Sequence, residues 1–395
     1  MSEATQAAFE IEKAQRLSAL PPYLFAELDR AKRKLQQEGV DVIDLGVGDP
    51  DLPTPKSVIQ TLQTTAEDPA NHRYSVTEGL APLRQAVAEW TQRRFGVTLD
   101  PATEILPLLG SKEGIAHLPL ALANPGEAVL VPDPCYPPYR SGTILAGAQV
   151  VPMPLEPENQ FLPDFGAISQ RAARQAKLMF LNYPNNPTAA VATEACFQEA
   201  IGLARDYQIV IAHDAAYSEL AYDGFRPISF LQIPGAKEVG VEFHSVSKTY
   251  NMTGWRVGWV CGNAKVVAAL AQLKSNVDSG IFQPLQYAAI EALLGDQHGL
   301  QEAVATYQRR RDVIVEALTK AGWPVPAPKA TIYLWAPVPG GGSSIDFAAR
   351  ILEQAHVVIT PGKGFGDRGE GFVRFSLTVP TDRVQEAVAR LVKAL

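Results

Sequence analysis

Between Gln60 and about Leu293, short apolar runs alternate with stretches of helical periodicity. That alternation predicts an α/β architecture, a mostly parallel sheet flanked by helices. The runs that read as strands are "EILPLLG", "EAVLVPD", "KLMFLNY", "QIVIAHD", "GVEFHSVS" and "RVGWVCG". Helices lie between them: "EGLAPLRQAVAEWTQRRFG", which Gly96 stops, and "TEACFQEAIGLARDY", which Thr193 caps. After "QPLQYAAIEALL" the pattern changes to a long charged helix from about Gln301, then "ATIYLWAPV", a Gly-rich turn, a further helix, "GFVRFSL" and a closing amphipathic helix. This predicts a smaller α+β domain over 294–395, a large domain over 46–293, and an N-terminal segment, 1–45, packed with the small domain.

At 395 residues, with 46% hydrophobic and 19% charged positions, the chain can bury a large core and supports two or three domains. A net charge of −7 argues against a general nucleic-acid or anionic-membrane binder. Cys135, Cys196 and Cys261 form neither a disulfide framework nor a zinc pattern, which points to a reducing cytoplasm. The polar N-terminus and the lack of a long apolar run predict neither a signal peptide nor a membrane span.

In open α/β sheets, ligands bind beyond the carboxyl ends of the strands, so residues just past each apolar run are candidate site residues. They are Ser111 and Lys112, Tyr136, Asn186, Asp214 with Tyr217, and Ser245, Ser247 and Lys248. Asp214 ends a run so apolar that an ionised carboxylate there needs a cation, for which the protonated ring nitrogen of a cofactor is suitable. Ser111 opens a helix, and with Ser245, Ser247 and the forked donor of Arg256 it offers a cradle for a phosphate. A partly desolvated lysine near other cations has a lowered pKa, which leaves the Lys248 amine free to attack a carbonyl. The late glycine cluster "GKGFGDRG" lacks the strand–turn–helix setting of a dinucleotide site, which excludes a nicotinamide dehydrogenase.

Together "SVSKTYNMTGWRVGW", "NYPNNPT", "HDAAYSEL" and "LLGSKEGI" resemble the marks of the class I/II aminotransferases, the pyridoxal-phosphate enzymes of fold type I. The resemblance is strongest to the bacterial LL-diaminopimelate aminotransferase group, through "YLF" at Tyr23, "DLGVGDPD" at Gly48, "GSKEGIAHLPLA" and "LMFLNYPNNPT". Aspartate, alanine, aromatic and N-succinyldiaminopimelate aminotransferases share the cofactor residues, and a lyase acting from the same cofactor is a further alternative. The resemblance implies pyridoxal 5'-phosphate carried on Lys248, with Asp214 at the pyridine nitrogen, Asn186 and Tyr217 at the 3'-oxygen, and Tyr136 on the ring face. It implies a phosphate held by Ser111, Lys112, Ser245, Ser247 and Arg256. Tyr74 would reach the cofactor of a second subunit, which implies a homodimer with shared sites. Arg374 would clamp the substrate α-carboxylate beside Gly48, and Tyr23 and Lys112 would approach the rest of an amino acid or 2-oxo acid. Ala189 stands where the family has a glycine, and the segment 275–286 lacks the arginine that some aspartate aminotransferases use.

Overall fold

The computed structural model describes residues 10–20 and 26–395, so Tyr23 lies outside the described residues. Its strands are β1 (Ile43–Asp44), β2 (Ile105–Leu108), β3 (Ala128–Asp133), β4 (Gln149–Pro154), β5 (Ala176–Asn182) and β6 (Val210–Asp214). They continue with β7 (Gly240–Ser245), β8 (Gly258–Gly262), β9 (Tyr333–Pro337), β10 (Val357–Val358), β11 (Thr360–Pro361) and β12 (Phe372–Ser376). Seven of them form one sheet in the order β2-β8-β7-β6-β5-β3-β4. β4, β3, β5, β6 and β7 are parallel neighbours, whereas β8 runs antiparallel to both β7 and β2.

Strands covered on both faces read as unbroken apolar runs because each successive side chain enters a different core. On β5, Leu178 and Phe180 join a core that includes Ile115 and Leu118 of the helix Ser111–Leu122 and Leu270 of the helix Ala264–Lys274. Met179 and Leu181 face the other way, against Trp90 of the helix Ala81–Phe95 and Phe197 of the helix Glu194–Tyr207. Gly96 ends its helix in the left-handed region (φ +70°), and Thr193 caps its helix by accepting from the Cys196 N–H at 3.2 Å.

β4 is not among the strands read from the sequence. Its Pro152 and Pro154 argue against a strand, yet β4 pairs only with β3, and an edge tolerates missing N–H donors. A second departure matters more. The run "GVEFHSVS" ends as a strand at Ser245, which caps a short helix, Val246–Thr249, so Lys248 sits on a helical turn beyond the strand.

A buried polar cluster on β6 and β7 crosses the sheet. Glu242 accepts from His213 Nδ1 (2.8 Å), His244 Nε2 (2.7 Å), Ser229 Oγ (2.7 Å) and the Phe230 N–H (2.7 Å). These partners hold its carboxyl far below the usual range in spite of complete burial, the two histidines contributing most. The Tyr183 N–H donates to His213 Nε2 at 3.2 Å, which fixes the proton of His213 on Nδ1. Glu242→Leu leaves four buried donors unpaired. We expect it to lower unfolding free energy by about 3–5 kcal/mol, measured by chemical denaturation.

The remaining strands form a three-stranded antiparallel sheet, β11-β12-β9, and a short parallel pair, β1-β10. The helices His298–Lys320, Ser344–Ala355 and Thr381–Ala394 accompany them. Leu28, Ile43 and Leu45 share a core there with Ile314, Leu334, Phe375 and Leu391. Buried Arg310 donates to both oxygens of Asp51 at 2.7 and 2.8 Å, tying the long helix to the loop that contains Gly48.

Candidate active site

The carboxyl ends of β3, β5, β6 and β7 open onto a cavity of about 670 Å³, closed on its other side by β9, β10, β11 and β12 residues. Gly48, Ser111, Lys112, Tyr136, Asn186, Asp214, Tyr217, Ser245, Ser247, Lys248, Arg256 and Arg374 all line it. Tyr74 does not: it is 89% exposed, beside a separate hollow formed by residues 72–75 and 279–282.

Asp214 occupies the last position of β6 and is buried. Burial pushes its carboxyl above the ordinary value, opposed by the Tyr139 hydroxyl at 2.8 Å and the Ala216 N–H at 3.2 Å. Tyr139 was not among the sequence candidates. It follows Tyr136 by three residues on the helix Pro137–Leu145, and its ring stacks on Phe180 at 4.9 Å, which aims its hydroxyl at Asp214.

Lys248 donates from Nζ to the Gly48 carbonyl at 2.5 Å. Burial holds its ammonium below the ordinary value; Tyr333 and Asp49 oppose this, while Arg374 and Arg256 reinforce it. The amine therefore reaches its neutral, nucleophilic form at lower pH than a surface lysine does.

Ser111 and Lys112 start a twelve-residue helix whose free N–H groups face the cavity end. Gly110 (φ +80°) precedes them, and a Cβ there would lie 2.2 Å from Arg256 Nη2. A Cβ on Gly258 would lie 2.7 Å from the Ser111 nitrogen. Missing side chains thus bring helix start and guanidinium together. Arg256 donates to the Thr253 and Leu109 carbonyls at 2.6 and 3.4 Å, and among the described residues it forms no ion pair. Ser245 Oγ accepts from the Ser247 N–H at 3.1 Å, closing the same corner.

Arg374, on β12, is buried. It donates from Nη1 to Asn186 Oδ1 at 2.8 Å and from Nη2 to the Gly46 carbonyl at 2.7 Å, and its Nε is buried without a partner. Asn186 is itself held: its N–H donates to Asn182 Oδ1 at 2.8 Å, and Asn182 Nδ2 donates to the Asp214 carbonyl at 2.8 Å. Sequence reading also missed Asn182 and Tyr333. Asn182 is the last residue of an apolar strand, a position that flags it in retrospect, but Tyr333 comes from another sheet and carried no local signal.

At Ala189 the backbone has φ +58°, the left-handed region that suits glycine, so alanine adopts the geometry that the departure from the family pattern put in question. Its N–H still donates to the Asn185 carbonyl at 3.0 Å, and the turn keeps its shape.

The description "Aminotransferase class I and II" matches residues 40–391. The LL-diaminopimelate aminotransferase of Moorella thermoacetica is 56% identical over 385 residues, 98% of this chain and 99% of that protein. Among solved structures, substrate-bound BacF of Bacillus subtilis is 39% identical, with a TM-score of 0.93 and 98% of both chains covered. A probable N-succinyldiaminopimelate aminotransferase of Thermus thermophilus is 37% identical, with a TM-score of 0.89, covering 94% of this chain and 100% of that one.

Pyridoxal 5'-phosphate suits the residues present. The cradle beside Gly110 and Gly258 meets four hydroxyl or guanidinium donors, the buried Asp214 matches a protonated ring nitrogen, and the Lys248 amine lines the same cavity as Arg374. Likeness along nearly the whole length, on a site of that chemistry, makes this chain a member of the class I and II aminotransferases, transaminases of fold type I that work with pyridoxal 5'-phosphate.

Proposed function

We propose that the chain moves an α-amino group from LL-diaminopimelate to 2-oxoglutarate, in two half-reactions that share one site. The observation that carries this reading is the cavity that joins Lys248, Asp214 and Arg374, together with the 56% identity to a protein of that name. When bound, the cofactor supplies a sink for the electrons of the substrate's Cα–H bond.

The chain's residues do the rest. Arg374 takes the α-carboxylate with paired N–H donors, and Asn186, fixed by Asn182, holds the guanidinium in place. Lys248 Nζ, whose burial favours its neutral form, would remove the Cα proton as a general base and pass it on to the cofactor, not back to Cα, as a general acid. Asp214 would face the cofactor's ring nitrogen, its carboxylate held by hydrogen bonds from the Tyr139 hydroxyl and the Ala216 N–H. Tyr217 would direct its hydroxyl to the 3'-oxygen, and Tyr136 would cover the ring face. Ser111, Lys112, Ser245, Ser247 and Arg256 would hold the phosphate. Each 2-oxo acid product leaves before the next substrate enters.

The donor assignment is supported by the charges elsewhere in the same cavity. Asp29, Asp44 and Lys112 also line it, and charges of both signs suit the amino and carboxyl groups at the far end of diaminopimelate. Lys32 pairs with Asp44 at 2.5 Å, which leaves that carboxylate anchored rather than mobile.

The same reading includes a homodimer. Tyr74, Val76, Val277 and Phe282 are exposed apolar or aromatic residues around or near the second hollow, a surface that a second copy would cover while Tyr74 reaches its phosphate. It also keeps the domain limits 1–45, 46–293 and 294–395, supported by the separate core around Ile314 and Phe375. A cytoplasmic location is supported by three free, buried cysteines. Among the described residues no helix is long and apolar enough to cross a membrane.

A donor panel with 2-oxoglutarate as acceptor tests the substrate. LL-diaminopimelate is expected to exceed aspartate, alanine, phenylalanine and N-succinyldiaminopimelate in kcat/KM by at least about tenfold, measured as glutamate formed. An inert LL-diaminopimelate beside a rapid second donor would replace the substrate and leave the reaction class standing.

A further inference from the structure

Tyr333 joins three parts of the site, and no role described so far uses it. It starts β9 and is 3% exposed. Its backbone is fixed by Thr331, whose Oγ1 accepts from the Tyr333 N–H at 3.0 Å and donates to the Tyr333 carbonyl at 3.3 Å. The centre of its ring lies 4.0 Å from Arg374 Cζ, and Phe365 lies 4.7 Å from the same carbon. A guanidinium so close to an aromatic face is attracted to it and loses freedom to tilt.

The other end of the ring is as tightly placed. The Tyr333 hydroxyl is 3.2 Å from that of Tyr217, and a Cβ on Gly48 would lie 2.0 Å from it. Gly48 therefore lacks a side chain for the sake of Tyr333, and its carbonyl meanwhile receives Lys248.

We propose that Tyr333 is a positioning residue for both ends of the reacting centre: its ring sets the plane of the Arg374 guanidinium, and its hydroxyl decides where the Tyr217 proton points. This rests on the roles proposed above for Arg374 and Tyr217. Here the Tyr217 hydroxyl donates to that of Tyr333; two adjacent phenols share one hydrogen bond, so the Tyr217 proton is released for the cofactor's 3'-oxygen only when Tyr333 turns its own proton onto the Tyr217 oxygen. Burial pushes the Tyr217 phenol up, so it holds a proton that it can give. Oriented toward the 3'-oxygen, it favours the charged form of that oxygen.

Two variants separate ring from hydroxyl. Tyr333→Phe keeps the ring and removes one oxygen. The pH midpoint of the bound cofactor's visible band is expected to rise by about half a unit to one unit, the worth of one hydrogen bond. Its affinity for pimelate, a non-reacting dicarboxylate, is expected to stay within about twofold of the wild type, because the face over Arg374 is kept. Tyr333→Leu removes that face. Calorimetry on the cofactor-free protein is expected to show pimelate binding weakened by about five- to thirty-fold. An unmoved midpoint in Tyr333→Phe, or unmoved pimelate binding in Tyr333→Leu, overturns the proposal. Should the leucine variant fail to fold, the phenylalanine titration still decides the hydroxyl's role. A wild-type protein without a pH-dependent visible band would refute the cofactor assignment instead, which keeps the two failures apart.

Discussion

Lys248→Ala is expected to lower the transamination rate by roughly four orders of magnitude and to leave the protein folded. The rate effect follows from removing the general base, which alone is worth about 10²–10⁴, along with the covalent anchor of the cofactor. Stability is expected to hold or rise, because the lysine is buried at a cost and makes one hydrogen bond, to a loop carbonyl. Initial rates of 2-oxo acid formation and a thermal melt measure the two effects. Turnover near the wild-type level would remove Lys248 from the mechanism. A variant that unfolds would show that the Gly48 contact, not the chemistry, explains the residue.

Arg374→Leu is expected to lower kcat/KM for both the amino acid and the 2-oxo acid by about 10²–10³. Losing one partner of a buried, hydrogen-bonded charge pair costs about 2–5 kcal/mol or more. Both substrates carry the same carboxylate, so both KM values should rise together, while the visible spectrum of the enzyme stays unchanged. Arg374→Lys should recover only part of the loss. A single ammonium cannot replace a planar fork that already donates to Asn186 and the Gly46 carbonyl. Steady-state kinetics of the two half-reactions check this, and a KM change confined to one substrate would assign Arg374 to something other than the shared carboxylate.

Much of the site was legible because the fold displays it. In a parallel sheet with both faces covered, the strand interiors must be apolar, so the first polar residue past each run marks the crevice. Asp214 and Ser245 end their strands and Asn186 follows β5 closely, and the large cavity gathers them, although His213, Glu242 and His244 interrupt the apolar pattern within β6 and β7. Lys248 obeyed that rule only loosely, since a helical turn rather than the strand carries it. The residues that escaped are those placed by contacts distant in sequence. Tyr139 points at Asp214 from 75 positions away, and Tyr333 meets Tyr217 from 116 positions away. Neither periodicity nor composition encodes such a meeting. β4 escaped for a different reason: its prolines oppose a strand in general, and only its place at the sheet edge makes them harmless.

The reversed direction of β8 has a consequence for how the anion corner is assembled. Parallel strands deliver their final residues to the crevice, but a strand travelling the opposite way delivers what comes before its beginning. Arg256, two residues ahead of Gly258, thereby arrives on the rim that Ser245 reaches at the end of the neighbouring β7, where it pairs with Gly258. Had β8 run with its neighbours, the five residues of the strand would have carried that guanidinium roughly 17 Å away, to the floor of the molecule. One inverted strand lets a single connection, Ser245 to Gly258, bring both the Lys248 amine and the Arg256 guanidinium to the same cavity.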